Sequence, residues 1–168
     1  MMTKKSTAAI NAVSDSLTQI IDSLQFVTMT LGQFVVADDE ELLNAAELSG
    51  LTQYLNNTRD IAENCYTQYC YAKLTLSDEM PEGNQINEFV AVMAVPPSEN
   101  PIITGTTLGT LTAIVNSLQF LTAIFERVEL AGDERLLTQV EVAGLNNTVK
   151  GIMVAAEYCF AQFYDAPL

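Results

Sequence analysis

Two helical hairpins packed as an all-α four-helix bundle are what this sequence predicts, on three observations. Apolar residues recur at spacings of three and four, a long stretch of the chain repeats itself 94 residues later, and four of the five prolines fall in one central segment. The periodicity names helices, because a half-buried strand would alternate by two. The repetition sets the number of units, and the prolines mark the connection between them.

The first helix is carried by Ile10, Val13, Leu17, Ile20, Ile21, Leu24, Val27, Leu31 and Val35. The acidic run Asp38, Asp39, Glu40 and Glu41 interrupts that pattern. Acidic residues are favoured at a helix amino terminus by capping and by the macrodipole, so a second helix is expected to start near Asp39. Its apolar positions are Leu43, Leu51, Tyr54, Leu55, Ile61, Ala62, Cys65 and Tyr69, and Gly50 is a point where it would bend or break.

Sliding the chain by 94 residues lays positions 16–70 on 110–164 without a gap. Twenty of the 55 aligned positions are identical, against roughly one in fifteen expected for unrelated chains of ordinary composition. Ser23-Leu24-Gln25-Phe26 falls on Ser117-Leu118-Gln119-Phe120, Asp39-Glu40 on Asp133-Glu134, Gly50-Leu51 on Gly144-Leu145, and Glu63, Cys65 and Gln68 on Glu157, Cys159 and Gln162. The second copy therefore repeats the hairpin, with Leu111, Ile114, Leu118, Leu121, Phe125 and Val128 on one helix, Asp133 as the expected cap, and Leu137, Leu145, Val149, Ile152, Ala156, Cys159 and Phe163 on the next.

One hairpin cannot cover both of its apolar stripes, whereas two packed about a pseudo-two-fold can. The expected organisation is a single domain over 1–168, with repeat 1 at about 10–72, a crossover at 73–107 and repeat 2 at about 108–164. The crossover holds Pro81, Pro96, Pro97 and Pro101, and an apolar stretch at 88–95 expected as a two-turn helix.

The chain carries 21 acidic and 7 basic residues and no histidine, a formal charge of −14. Its cations, Lys4, Lys5, Arg59, Lys73, Arg127, Arg135 and Lys150, are too scattered to neutralise a run of phosphates or to dock on an anionic membrane, so direct nucleic-acid and membrane binding are not expected. The absence of histidine removes the commonest general base and zinc ligand, and a di-iron bundle built on Glu-x-x-His pairs with it. No catalysis, metal or cofactor is expected.

Residues 100–125 contain no charge and are long enough to cross a bilayer, but their equivalents in the first copy include Asp22, so they read as one face of an amphipathic helix. The amino-terminal run is interrupted by Asn11, Ser14 and Asp15 and does not form the apolar stretch of a signal peptide. A cytoplasmic location is expected. Three cysteines do not make a disulfide framework, and Cys65 and Cys70 point about 140° apart on one helix, so buried free thiols are expected.

Phe26 departs from the amphipathic pattern. It lies about 200° around the helix from Leu24, with Asp22, Met29 and Gln33 on the polar side. Phe120 does the same in the second copy, near Ile124 and Arg127. An aromatic on the back face suggests a contact with a protein partner or a second copy of the chain, unless the crossover or a terminal segment covers it. Phe26, Met29, Gln33, Phe120 and Ile124, with Asp38, Asp39, Glu40 and Glu41, are the candidate partner-binding residues.

Glu47 and Glu141 lie on the apolar stripes, each three residues before a glycine, and a kink there would turn them to solvent. Glu63 and Glu157 fall about 200° from the matched cysteines and should be solvated. The tyrosines gather in the second helix of each copy, as partly buried residues with wet hydroxyls. The two copies differ in charge, −7 over 16–70 and −3 over 110–164. A basic protein partner suits that excess of acid, and a homodimer suits the exposed rings. Two other classes are an acidic nucleic-acid mimic that inhibits a basic protein, and a bundle holding a small apolar ligand or metal in its core.

Overall fold

The computed structural model describes residues 4–36, 43–79, 100–131 and 137–164. They form four helices: α1 (Lys4–Val36), α2 (Ala45–Glu79), α3 (Thr107–Ala131) and α4 (Gln139–Tyr164). Each is long because its apolar stripe is long and neither proline nor a β-branched run interrupts it. The helices pack as a ring in which α1 meets α2 and α4, and α3 meets α2 and α4, the α3–α4 seam being the thinnest.

Gln119 on α3 donates to Glu63 on α2, while Asn56, seven residues earlier on α2, donates to Glu126, seven residues later on α3. Those two helices therefore run antiparallel. Phe26 against Tyr54 and Ser16 against Gln68 show the same for α1 and α2. The topology is up-down-up-down, the bundle expected from the hydrophobic pattern.

Inside the ring the four stripes converge. Leu17, Ile20, Leu24 and Leu31 of α1 and Leu111, Ile114, Leu118, Leu121 and Phe125 of α3 are fully buried, facing Leu51, Leu55 and Cys65 of α2 and Val149, Ile152 and Cys159 of α4. Positions 94 apart share their burial: Leu17 with Leu111, Leu24 with Leu118, Leu31 with Phe125, Leu43 with Leu137, Leu55 with Val149, Cys65 with Cys159. Even the buried hydroxyls Ser16 and Thr110 correspond. At about 1.5–3 kcal/mol for each large apolar side chain removed from water, this core is the dominant stabilising term.

The second helix of each hairpin begins later than the acidic runs suggest. Residues 43 and 44 are not helical, and α2 opens at Ala45 with Asn44 as its cap. Asn44 Oδ1 accepts from the Glu47 amide at 2.9 Å, and Glu47 Oε2 accepts from the Asn44 amide at 3.0 Å, a reciprocal capping box. In α4 the same device is Thr138 with Glu141. Glu141 Oε2 accepts from the Thr138 amide at 2.8 Å and its hydroxyl at 2.9 Å, and Thr138 Oγ1 accepts from the Glu141 amide at 3.3 Å. Starts at Asp39 and Asp133 are thus corrected to Ala45 and Gln139. Glu47 and Glu141 are exposed because they belong to first turns, with no kink needed, and both helices continue unbroken past Gly50 and Gly144.

Two further boundaries differ from the expectation. α1 starts at Lys4 and α2 runs on to Glu79, so 73–79 is helix and not connection. The acidic run Asp38, Asp39, Glu40 and Glu41, its counterpart Asp133-Glu134, the apolar stretch 88–95 and the side chains of Phe163 and Tyr164 lie outside the described residues.

Residues 100–106 deliver the chain to α3 along the flank of α4. Asn100 Nδ2 donates to the Gly151 carbonyl at 2.8 Å, its Oδ1 accepts from the Ile102 amide at 3.1 Å, and the Ile102 side chain lies against Gly151. Gly105 sits at φ 81°, a conformation that side chains disfavour. Thr106 then caps α3 by accepting from the Gly109 amide at 3.1 Å. A Cβ on Gly109 would collide with the Thr104 and Thr106 side chains, so this turn closes only over glycine.

Truncating Phe125 to alanine should lower the free energy of unfolding by about 3–5 kcal/mol, read from denaturant titration. Asn44→Ala and Thr138→Ala should each cost about 1 kcal/mol, and Asp39→Ala should leave the midpoint unchanged.

Candidate partner-binding face

Among the exposed large apolar side chains, Phe26 and Phe120 stand on helices at opposite corners of the ring. On α1, Phe26 is 48 % exposed and Met29 64 % exposed, with Gln33 exposed one turn further on. Their spacing of three and four places them within about 60° on one stripe. The Phe26 ring stacks on Tyr54 of α2, centroids 4.6 Å apart and planes inclined by 29°. Tyr54 is itself 45 % exposed, so the pair is a surface feature that bridges α1 and α2. Nearby Thr30 donates back to the Phe26 carbonyl at 3.0 Å, keeping its hydroxyl on its own helix.

On α3, Phe120 is 64 % exposed and Ile124 half-buried. The residue standing 94 positions after Tyr54 is Thr148, whose hydroxyl donates to the Gly144 carbonyl. Phe120 therefore has no tyrosine at the matching place. α1 and α3 occupy opposite corners of the ring, so Phe26 and Phe120 belong to two separate faces. The structure brings together Phe26, Met29 and Gln33, adds Tyr54 to them, and sets Phe120 and Ile124 apart.

Tyr54 is the residue that sequence reasoning misplaced. Read as part of the α2 stripe, it lies at the stripe's edge, one residue before the buried Leu55, and its ring turns onto α1. An available signal was its place among polar neighbours, Gln53 and Asn57. Tyr71 is exposed too, Tyr66 and Tyr158 are half-buried, and Tyr69 is buried, its hydroxyl bonded to Thr107.

The carboxylates described on the surface are paired modestly. Arg59 lies 3.0 Å from Asp60 and 3.8 Å from Glu63, and Glu63 also accepts from Gln119 at 3.2 Å. Exposed pairs of this kind contribute at most about 1 kcal/mol each. Among the described residues no three of Cys, Asp and Glu converge as metal ligands would.

The three cysteines are free. Cys65 and Cys159 are buried in the core, and burial pushes both thiols up to about 12, Cys159 being raised further by its proximity to Cys65. A thiol held neutral in this way is a poor nucleophile. Cys70 is only half-buried.

α3 is, among the described residues, the one helix long and apolar enough to cross a membrane by length and composition, a test that the core helix of a soluble bundle also passes. Its stripe from Leu111 to Val128 is buried against the other helices. No protein-family model, curated protein or solved structure matches this chain.

In native protein a disulfide reagent should modify Cys70 alone, with Cys65 and Cys159 reacting only on unfolding, as peptide mapping would show. Because their folded values lie above the unfolded value of 9.0, the stability they lend is complete below pH 9 and lost as pH rises toward 12. The slope should be about 1.4 kcal/mol per pH unit for each thiol, measurable by denaturant titration against pH and reduced in Cys159→Ala.

Proposed function

We propose that this chain is a non-catalytic binding module, a tandemly duplicated helical bundle that recognises another protein through the face carrying Phe26, Met29, Gln33 and Tyr54. The observation that carries the reading is the Phe26–Tyr54 stack at the surface. A ring pair fixed across two helices offers a partner a rigid apolar anchor at low entropic cost, the kind of residue that dominates binding energy. Its neighbour Met29 adds an adaptable apolar side chain.

Electrostatics select the partner. The acidic run Asp38, Asp39, Glu40 and Glu41 follows the end of α1, on the same hairpin as the stack, and this hairpin carries the larger negative charge, −7 against −3. Carboxylates on the hairpin that carries an apolar anchor would steer a basic surface toward it and reject an acidic one. We therefore assign the partner as a protein with a basic rim around an apolar pocket. The duplication gives the reading its logic. Two copies with one core pattern have diverged at the surface, one keeping an aromatic pair and acid, the other replacing the tyrosine by Thr148 and losing charge.

Phe26→Ser should reduce capture of a partner from native-host lysate by roughly 10- to 30-fold, with helicity by circular dichroism unchanged. Neutralising residues 38–41 to Asn and Gln should steepen dissociation and weaken the dependence on added salt. Equal capture by wild type and Phe26→Ser would refute the assignment, and loss of helicity in Phe26→Ser would place that ring in the core.

A further inference from the structure

The seam between α1 and α4 contains two polar atoms that the rest of the bundle's habits leave unexplained. Thr28 Oγ1 and Asn146 Oδ1 are both buried and have no hydrogen-bond partner among the described residues. Asn146 is 6 % exposed.

Four buried hydroxyls elsewhere in these helices bond back to the carbonyl four residues earlier. Ser16 donates to Ala12, Thr52 to Leu48, Thr58 to Tyr54 and Thr122 to Leu118. Thr28 makes no such bond, although Thr122, its equivalent at a shift of 94, does. Asn146 is the equivalent of Thr52, which is likewise satisfied on its own helix.

The third departure is Gly32. It lies four residues after Thr28, hence on the same face of α1, and a Cβ built there would stand 3.8 Å from Asn146 Nδ2. Its equivalent in the other hairpin–hairpin seam, Glu126, fills that place with a side chain bonded to Asn56. Three departures from the repeated pattern thus fall together in one seam: a threonine, the same residue as in the other copy, that is not bonded to its own helix, an asparagine where the other copy has a threonine, and a glycine where it has a glutamate.

We propose that Thr28, Asn146 and the bare α-carbon of Gly32 form a binding site for a single water molecule that bridges α1 to α4. Water suits the site because it can donate to the Asn146 carbonyl oxygen while donating to or accepting from the Thr28 hydroxyl. Buried polar groups that lack a protein partner are ordinarily satisfied in this way. The bridge joins the first and last helices, and with them the two hairpins, at one register, because a slip along the seam would part the two groups.

The test is nuclear magnetic resonance of the full chain, read as exchange-resolved Overhauser contacts between water and the Asn146 side-chain amide. The site predicts a contact of the sign given by long-resident water, lost in Thr28→Val and in Gly32→Ala, whose methyl takes the place of the water, and retained in Thr122→Val. Thermal melts give a second readout. Gly32→Ala should fail to raise the melting temperature, although alanine is the better helix former. Absence of the contact in the wild type, or its survival in both seam variants, would overturn the proposal, as would a melting temperature raised by several degrees in Gly32→Ala.

Discussion

Each of the four helices presents an apolar stripe that must be covered, and only the other three can cover it. This mutual burial underlies the remaining features. Leu24 and Leu118 reach full burial inside one core to which Leu51, Leu55, Val149 and Ile152 of the neighbouring helices also belong. Take away either hairpin and the stripes of the other face water. The acidic surface is tolerated on the same grounds: the core supplies enough favourable burial for the chain to carry −14 without needing its exposed ion pairs for stability.

Within that constraint, polar groups near the core are settled locally. Thr52, Thr58 and Thr122 return their hydroxyls to their own helices, and the first turns of α2 and α4 close on themselves through Asn44–Glu47 and Thr138–Glu141. Such local settlement leaves the core apolar while positions 94 apart differ at the surface. Two of these differences are Tyr54 against Thr148 and Gly32 against Glu126. The first pair separates a stacked aromatic site from a lone phenylalanine. The second separates a seam with a bare α-carbon from one closed by a side-chain hydrogen bond.

Much of the architecture was legible because helical periodicity is a global signal, summed over many turns of each stripe. The exposure of Phe26 and Phe120 was legible for the same reason, since a ring 200° from Leu24 has no core to enter. Helix starts are set by only a few residues, and here two signals competed. The acidic runs have the composition of a first turn, yet Asn44 with Glu47 and Thr138 with Glu141 have its hydrogen-bonding geometry, and the geometry won. Reading the glutamates as misplaced members of the stripe hid their capping role. The Tyr54 stack was not legible because it depends on how far α2 is rotated against α1, a quantity that the pattern of either helix alone does not contain. Thr28 and Asn146 were hidden likewise, as a hydroxyl's choice between its own helix and a neighbour leaves no mark on composition.

If the two hairpins share one core, they must open together. Native-state hydrogen exchange in increasing denaturant examines this most directly, comparing the Leu24 and Leu55 amides of the first hairpin with those of Leu118 and Ile152 in the second. A shared core predicts that all four converge on one opening with a common free energy and a common denaturant dependence. Exchange of either pair through a separate opening of much lower free energy would contradict it, and would make the chain two independent hairpins.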